Sequence, residues 1–156
     1  MLHPLKTLLT NFFMSAGSGG EVDESRSLQL ATAVLLVEVM RSDTSFNPQE
    51  RATAVDALRN QFTLTNDELN RLLIQAEQTA RGANDYFGFT SAMNDQYTQA
   101  QKIMVVELMW KVAYADGHLD AHENHVISKV AGLLHVTHGE YIAAKLHAKQ
   151  AAESGH

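Results

Sequence analysis

The feature that most constrains the fold is an internal repeat with a spacing of 73 residues. An apolar run at positions 30 to 39 has an apolar counterpart at positions 103 to 112. The paired residues are Leu30 with Ile103, Ala33 with Val106, Leu35 with Leu108, Leu36 with Met109, Val37 with Trp110 and Val39 with Val112. The same shift aligns Asp43 with Asp116 and Glu50 with Glu123. A chain with this repeat is expected to build one supersecondary unit twice.

After one residue is dropped, the alignment continues with a spacing of 72 residues. It then pairs Phe62 with Leu134, Leu64 with Val136, Thr65 with Thr137 and Glu68 with Glu140. Helix-start signals occur at matching places. The run 47–50, Asn-Pro-Gln-Glu, has an N-cap residue, a proline at the first helical position and an acidic third residue, and the run 120–123 repeats the cap and the carboxylate. The threonine–glutamate pairs are capping boxes for the next helices.

Helical periodicity runs through most of the chain, and alternating β-branched patterns are absent, so we predict an all-α fold. The expected architecture is a compact bundle of about seven helices, formed by two pseudo-symmetric helix–loop–helix repeats. Helices are predicted near 4–14, 26–42, 47–61, 65–81, 99–115, 120–134 and 137–150, with a short turn of helix near 90–96. The domain is expected over 26–156, with repeat one at 26–81 and repeat two at 99–150.

Two of these helices, 26–42 and 99–115, are apolar almost all round, which predicts that they are central and buried. The residues expected in the core are Leu35, Leu36, Val39, Leu108, Met109 and Val112. The connection at 82–90 is rich in turn-forming and aromatic residues, and is predicted to be a loop between the two halves.

The first 25 residues are predicted to form an amphipathic helix and a linker. The apolar residues of this helix fall on one face, at Leu5, Leu8, Leu9, Phe12 and Phe13. We expect that face to dock on the domain; the alternative is an anchor on a membrane surface. Polar residues interrupt the continuous apolar core that a signal peptide needs. No apolar run approaches the ~20 residues of a membrane-spanning helix.

Composition excludes several classes of function. The chain has no cysteines, so disulfides, thiolate zinc sites and cysteine nucleophiles are ruled out. A reducing cytoplasm suits such a chain, and a cytoplasmic location is expected. The net charge of −6, with no run of basic residues, argues against nucleic acid as a partner. No phosphate-binding loop or nucleophile elbow occurs, so no catalytic residues are predicted and the chain is not expected to be an enzyme.

The densest polar stretch is 116–125, where Asp116, Asp120 and Glu123 are the candidate ligands of a hard cation such as Ca²⁺ or Mg²⁺. Asp43 and Glu50 are the counterparts in the first repeat, where asparagine and threonine replace the second aspartate and the glycine. An alternative needs no metal. Asp116 follows a helix C-terminus, which disfavours an anion, and its carboxylate can accept amide hydrogens of the turn. The residues leave both interpretations open.

Histidines offer a competing metal site. His118, His122 and His125 lie in the same stretch, and His135 and His138 follow. Two histidines four residues apart on a helix can share a zinc ion. However, position 118 precedes the helix, so its spacing to position 122 is not helical. Solvated surface histidines are therefore the favoured interpretation.

The string 109–120, Met-Trp-Lys-Val-Ala-Tyr-Ala-Asp-Gly-His-Leu-Asp, continues through Glu123 to Val-Ala-Gly-Leu-Leu at 130–134. This pattern, together with Phe-Gly-Phe-Thr at 87–90 and Met-Asn at 93–94, resembles the small stand-alone bacterial members of the TerB-like tellurite-resistance family. The resemblance covers roughly residues 26 to 150. It implies an all-α fold of repeated helix pairs, in agreement with the repeat.

For function, the resemblance implies a link to tellurite and chemical-stress resistance, with membrane-associated protein partners. It also implies that acidic residues bind metal, and by motif these are Asp116, Asp120 and Glu123, with Asp43 and Glu50 in the first repeat. We therefore expect a non-enzymatic adaptor that acts through protein interaction. The alternative is a divalent-cation sensor that uses the acidic loop from position 116 to 123.

Overall fold

The computed structural model describes residues 21–42, 48–81, 87–115, 119 and 121–154. Within these ranges the chain is all-helical, without a β-strand. The helices are α1 (Glu21–Ser42), α2 (Pro48–Phe62), α3 (Asn66–Arg81), α4 (Phe87–Gln96), α5 (Gln99–Ala113), α6 (Ala121–Leu133) and α7 (His138–Ser154). The prediction of an all-α bundle of about seven helices is confirmed. The helix expected at 4–14 lies outside the described residues.

Helices α1 and α5 form the centre of the bundle and pack against each other. Helix α1 also contacts α2, α3 and α6, and α5 also contacts α2, α6 and α7. The predicted core residues are all buried, namely Leu35, Leu36, Val39, Leu108, Met109 and Val112. Helices that are apolar all round need partners on several sides, which explains their central place.

The pattern of helix contacts follows the predicted repeat. Helix α3 packs on α1 as α7 packs on α5, while α2 contacts α5 as α6 contacts α1. Equivalent turns also end α2 and α6. Thr63 and His135, which are aligned in the repeat, have φ angles of 52° and 58°. Such left-handed residues often terminate helices. Superposition of the two units as pseudo-symmetric copies stays a prediction.

Both predicted capping boxes that lie in the described ranges are present. The Thr65 main-chain N–H donates to Glu68 Oε1 (3.0 Å) and the Glu68 N–H donates to Thr65 Oγ1 (3.2 Å). Thr137 and Glu140 form the same pair of bonds, at 2.8 and 3.2 Å. These bonds satisfy main-chain donors that a helix start leaves unpaired. They therefore set the beginnings of α3 and α7.

Three helix bounds differ from the sequence prediction. Helix α1 begins at Glu21 rather than near 26, because no glycine or proline interrupts the sequence between them. Helix α4 begins at Phe87, inside the stretch predicted to be a loop. One internal glycine costs only ~1 kcal/mol in a helix, and burial of Met93 on this helix outweighs it. Helix α7 runs to Ser154 rather than to 150.

None of the helices that the structure describes combines the length and the apolarity that a bilayer crossing requires.

Candidate functional site

Two of the five predicted cation ligands lie in the described residues, and both are deeply buried glutamates. Glu50 is the third residue of α2 and Glu123 is the third residue of α6. Each is only 1% exposed to solvent. A carboxylate at a helix N-terminus is favoured by the helix dipole, but its removal from water is costly unless a partner compensates the charge. Both residues take part in polar or electrostatic interactions within the chain.

The other three predicted ligands, Asp43, Asp116 and Asp120, lie outside the described residues. Within the described ranges, no group of three or more histidine, aspartate or glutamate side chains could hold a metal ion. The two glutamates begin different helices, one in each half of the chain. The five-residue cation site therefore stays a prediction, as does the alternative in which turn amides hold Asp116.

The acidic stretch follows a helix end that is held by aromatic packing. Trp110, in the last turn of α5, is fully buried. Its ring stacks on Tyr114 at a centroid distance of 5.9 Å and meets the edge of Tyr141 at 5.5 Å. The Lys145 ammonium lies 4.9 Å from the Trp110 ring centroid, close enough for a cation–π attraction. The sequence places Trp110 in the apolar run at 103–112, whereas it gives no signal for the lysine.

The same helix end is closed by main-chain bonds. The Tyr114 N–H donates to Trp110 O (2.9 Å) and the Ala115 N–H donates to Val112 O (3.1 Å). Farther along the acidic stretch, Leu119 is partly buried and packs against the core. A fully buried indole before the acidic stretch and a partly buried leucine within it therefore both pack against the core.

A polar network joins α4, α5, α6 and α7 at one end of the bundle, and sequence reasoning missed it. Asn94 Nδ2 donates to Leu133 O (2.8 Å), and Lys102 Nζ donates to Asn94 Oδ1 (3.2 Å). Gln99 Nε2 donates to His135 O (3.1 Å) and to Glu140 Oε1 (2.9 Å). Lys102 is buried, and this bond to an amide oxygen offsets part of the cost of burying an ammonium group. The network fixes the turn between α6 and α7.

Hydrogen bonds at the capping boxes shift two carboxyl groups. The pKa of Glu140 is lowered, first because the Thr137 main-chain amide donates to the carboxylate and next because Gln99 does so. The pKa of Glu68 is lowered chiefly by the Thr65 amide. These shifts belong to helix caps rather than to a reactive centre.

The histidines in the described ranges are exposed, as predicted. His122, His125, His135, His138 and His147 all reach solvent, whereas His118 lies outside the description. One contact was not foreseen. His147 Nδ1 lies 2.7 Å from Glu107 Oε1, and Lys111 Nζ lies 3.6 Å from Glu107 Oε2. This exposed cluster links α5 to α7.

Two large aliphatic side chains are exposed on the described surface. Ile74 on α3 is 58% exposed, and Leu146 on α7 is 51% exposed. The 72-residue alignment of the two halves places them at equivalent positions. Sequence reasoning missed both, although the alignment contained the signal: each is an apolar residue on the side of its helix opposite the buried positions.

Comparison with known proteins identifies the class of helical bundle. The sequence matches the family described as "Tellurite resistance protein TerB" over residues 29–146. This match spans most of the chain and includes both halves of the repeat and both buried glutamates. The protein therefore belongs to the TerB family, which confirms the predicted resemblance. Neither a curated protein nor a solved structure matches the chain significantly.

Proposed function

We propose that this protein is a non-enzymatic adaptor in a stress response of the tellurite-resistance type, and that it acts through protein interaction. The observation that carries the proposal is the family match over residues 29–146. The match covers most of the bundle rather than one motif, so the family function is proposed for the chain as a unit. A cytoplasmic location and a membrane-associated partner belong to the same proposal.

The chemistry of the chain favours an adaptor over an enzyme that reduces tellurite. Reduction of an oxyanion requires thiols or a redox cofactor, and the sequence has neither a cysteine nor a dinucleotide-binding motif. Hydrogen bonds in two helix caps lower the pKa values of Glu68 and Glu140, and burial raises the pKa of Tyr97. Each has a structural role.

The outer face of α3 is the proposed contact surface for the partner. Ile74 is the most exposed large hydrophobic residue of the described surface, and the exposed residues Asp67, Arg71 and Gln78 surround it on the same face. An apolar anchor within a polar rim is the usual organisation of a protein–protein hot spot. The net charge of −6 further favours a partner with a basic surface, because opposite charges speed association.

The adaptor proposal is tested by growth on tellurite and by partner capture in the same strains. A strain that lacks the gene should grow poorly on tellurite, and the wild-type chain should restore growth. Ile74→Asp should fail to restore growth and should lose the cross-linked partner, while Asn60→Asp, an exposed change on α2, should behave as wild type. Both variants should keep the wild-type melting temperature. Consumption of tellurite by the purified chain with NADPH or a thiol reductant would contradict the proposal.

A second candidate function is a divalent-cation sensor. It is favoured by the two buried glutamates, which occupy matching positions at the starts of α2 and α6 and are each 1% exposed. The proposed ligands are Asp116, Asp120 and Glu123, with Asp43 and Glu50 in the first repeat. A bound Ca²⁺ or Mg²⁺ ion would compensate carboxylates that have been removed from water. In the competing account, turn amides donate to the Asp116 carboxylate and no cation is bound.

A calorimetric titration with Ca²⁺ and Mg²⁺ separates these two accounts. A bound cation should raise the melting temperature progressively with concentration. At a concentration 100 times the Kd, it should add about 2.7 kcal/mol to the free energy of unfolding. Asp116→Asn should remove both the heat of binding and the stabilisation. Asp56→Asn, an exposed change on α2, should leave them intact. If turn amides alone hold the carboxylate, added cation should act only through ionic strength.

A further inference from the structure

The side of α7 that faces away from the core carries an uncharged line of exposed residues, beside the exposed His147 and Lys149. Its outer ridge consists of Gly139, Ala143, Leu146 and Gln150. Their spacing of four, three and four residues places them in one line along a helix. All are exposed, and a methyl group added at Gly139 would meet no atom within 4 Å. The buried residues Ala144 and Ala148 lie on the opposite side. The outer ridge carries no charged side chain.

The equivalent line on α3, which is the proposed partner surface, carries charges that the ridge of α7 lacks. The 72-residue alignment places Asp67, Arg71, Ile74 and Gln78 at the corresponding positions, and all four are exposed. On α7, glycine and alanine stand where α3 has an aspartate and an arginine. Both lines contain an aliphatic residue, which is Leu146 on α7 and Ile74 on α3. Small residues allow another helix to approach closely and leave room for large side chains. The replacement predicts that the ridge of α7 is covered.

We propose that residues 4–14 of the same chain cover the outer ridge of α7. This segment has one apolar face, made of Leu5, Leu8, Leu9, Phe12 and Phe13. As a helix of eleven residues it would be ~16 Å long, which is also the distance along α7 from Gly139 to Gln150. Lys6 is its only charged side chain, so its contact with the ridge buries little charge.

The path of the chain brings the segment to the correct end of α7. Ser27 Oγ and Tyr97 OH share a hydrogen bond of 3.1 Å, so the first part of α1 lies beside the start of α5. The bond from Gln99 to Glu140 places the start of α7 beside the same point. Residues 15–20 can span up to ~20 Å. This length allows the N-terminal segment to reach the beginning of the ridge, as the proposal requires.

This path also sets the direction of the segment. Followed backward from α1, the segment passes the start of the ridge first, so it runs antiparallel to α7. Phe12 and Phe13 then lie over Gly139 and Ala143, and the two central leucines lie beside Leu146. A tethered segment is present at a local concentration in the millimolar range. It therefore outcompetes a second copy of the chain at micromolar concentrations. The inference is independent of the proposed function.

Cysteine cross-linking in the full chain tests the inference, because the chain has no cysteines of its own. Under mild oxidation, Phe12→Cys with Ala143→Cys should form an intramolecular disulfide, which requires Cα atoms within about 7 Å. The matched control is Phe12→Cys with Arg71→Cys, the equivalent position on α3, which should remain reduced. Equal cross-linking of both pairs would show an undirected segment and would overturn the proposal.

The other occupants of the ridge give different products. A disulfide between two chains would assign the ridge to a second copy. Failure of the pair to cross-link, together with flotation of the protein on vesicles of anionic phospholipid, would assign the segment to a membrane surface. Failure to cross-link without flotation would leave the ridge uncovered. Each of these outcomes overturns the proposal.

Limited proteolysis provides a readout that needs no cysteine. Lys6 is the only lysine or arginine before Arg26, so trypsin reports the accessibility of the segment at a single bond. Leu146→Asp should speed cleavage after Lys6 about tenfold, because it places a charge beneath the apolar face. Ile74→Asp is the matched control and should leave the rate unchanged. Equal rates in all three proteins would also overturn the proposal.

Discussion

Replacement of Leu108 by alanine tests whether α5 is the centre of the bundle. Leu108 is 4% exposed and lies on a helix that contacts α1, α2, α6 and α7. The change removes three carbon atoms, and their transfer from water alone is worth ~2.4 kcal/mol. Neighbours held by several helices cannot collapse fully into the space, so a cavity term adds to this value. We expect a loss of about 3–5 kcal/mol in the free energy of unfolding.

Equilibrium unfolding in urea, followed by two probes, measures this loss. Trp110 is the single tryptophan of the chain and is fully buried, so its fluorescence reports the loss of the core, while far-ultraviolet circular dichroism reports the helices. A loss of this size should lower the melting temperature by about 6–20 °C for a domain of this length. Ile74→Ala is the control. It removes an exposed side chain in favour of a better helix former, so its effect should stay below about 0.5 kcal/mol.

A loss of less than about 1 kcal/mol at Leu108 would refute the central position of α5. If fluorescence and circular dichroism gave separate unfolding transitions, the two halves would not unfold as one cooperative unit. An equally large loss in Ile74→Ala would show that the outer face of α3 is packed rather than exposed.

Three further changes test the polar interactions. Hydrogen bonds to the Glu68 and Glu140 carboxylates lower the pKa of both groups from 4.5. The stability that these bonds add is therefore present above pH 4.5 and is lost as the pH falls through the lowered pKa values. Changing both residues to glutamine should flatten the decline of urea stability at acid pH. Tyr97→Phe removes the buried hydroxyl that pairs with Ser27 and should cost about 1 kcal/mol in thermal unfolding, whereas no loss would mean that the bond contributes nothing. Asn94→Ala leaves the Leu133 carbonyl and the buried Lys102 ammonium group without this partner. The free energy of unfolding in urea should fall by about 1–3 kcal/mol, and amide exchange in the turn after α6 should become faster. Unchanged exchange would contradict the role given to the network.

The candidate cation site shows how far sequence reasoning reaches. The third positions of Glu123 and Glu50 in capped helices, together with the repeat, marked them as candidate cation ligands. Both signals can be read directly from the order of the sequence. Their burial was not predicted, because a glutamate in a first turn can equally face solvent while it serves the helix dipole. Their burial follows from the packing of α2 and α6 against other helices of the bundle, which the local sequence does not specify. Whether Asp116, Asp120 and Glu123 bind a cation, or turn amides hold Asp116 instead, stays a prediction.

Local pattern determined much of this protein from its sequence alone. Apolar periodicity specified the helices and the core positions Leu35 and Met109, and the threonine–glutamate pairs specified where α3 and α7 begin. These features depend on residues within one or two turns of each other, so the order of the sequence encodes them directly. The family could be recognised for the same reason, since its motif is a continuous string.

Tertiary structure alone decided the features that join distant parts of the chain. It placed Lys145 over Trp110, Lys102 beside Asn94 and the glutamates out of solvent, and it left Leu146 exposed on an uncharged ridge. A helix has three or more faces, and its sequence reports only which of them are apolar. The choice of neighbour for each face is made when the helices compete for the same core, because burial is a property of the whole assembly and of no single segment.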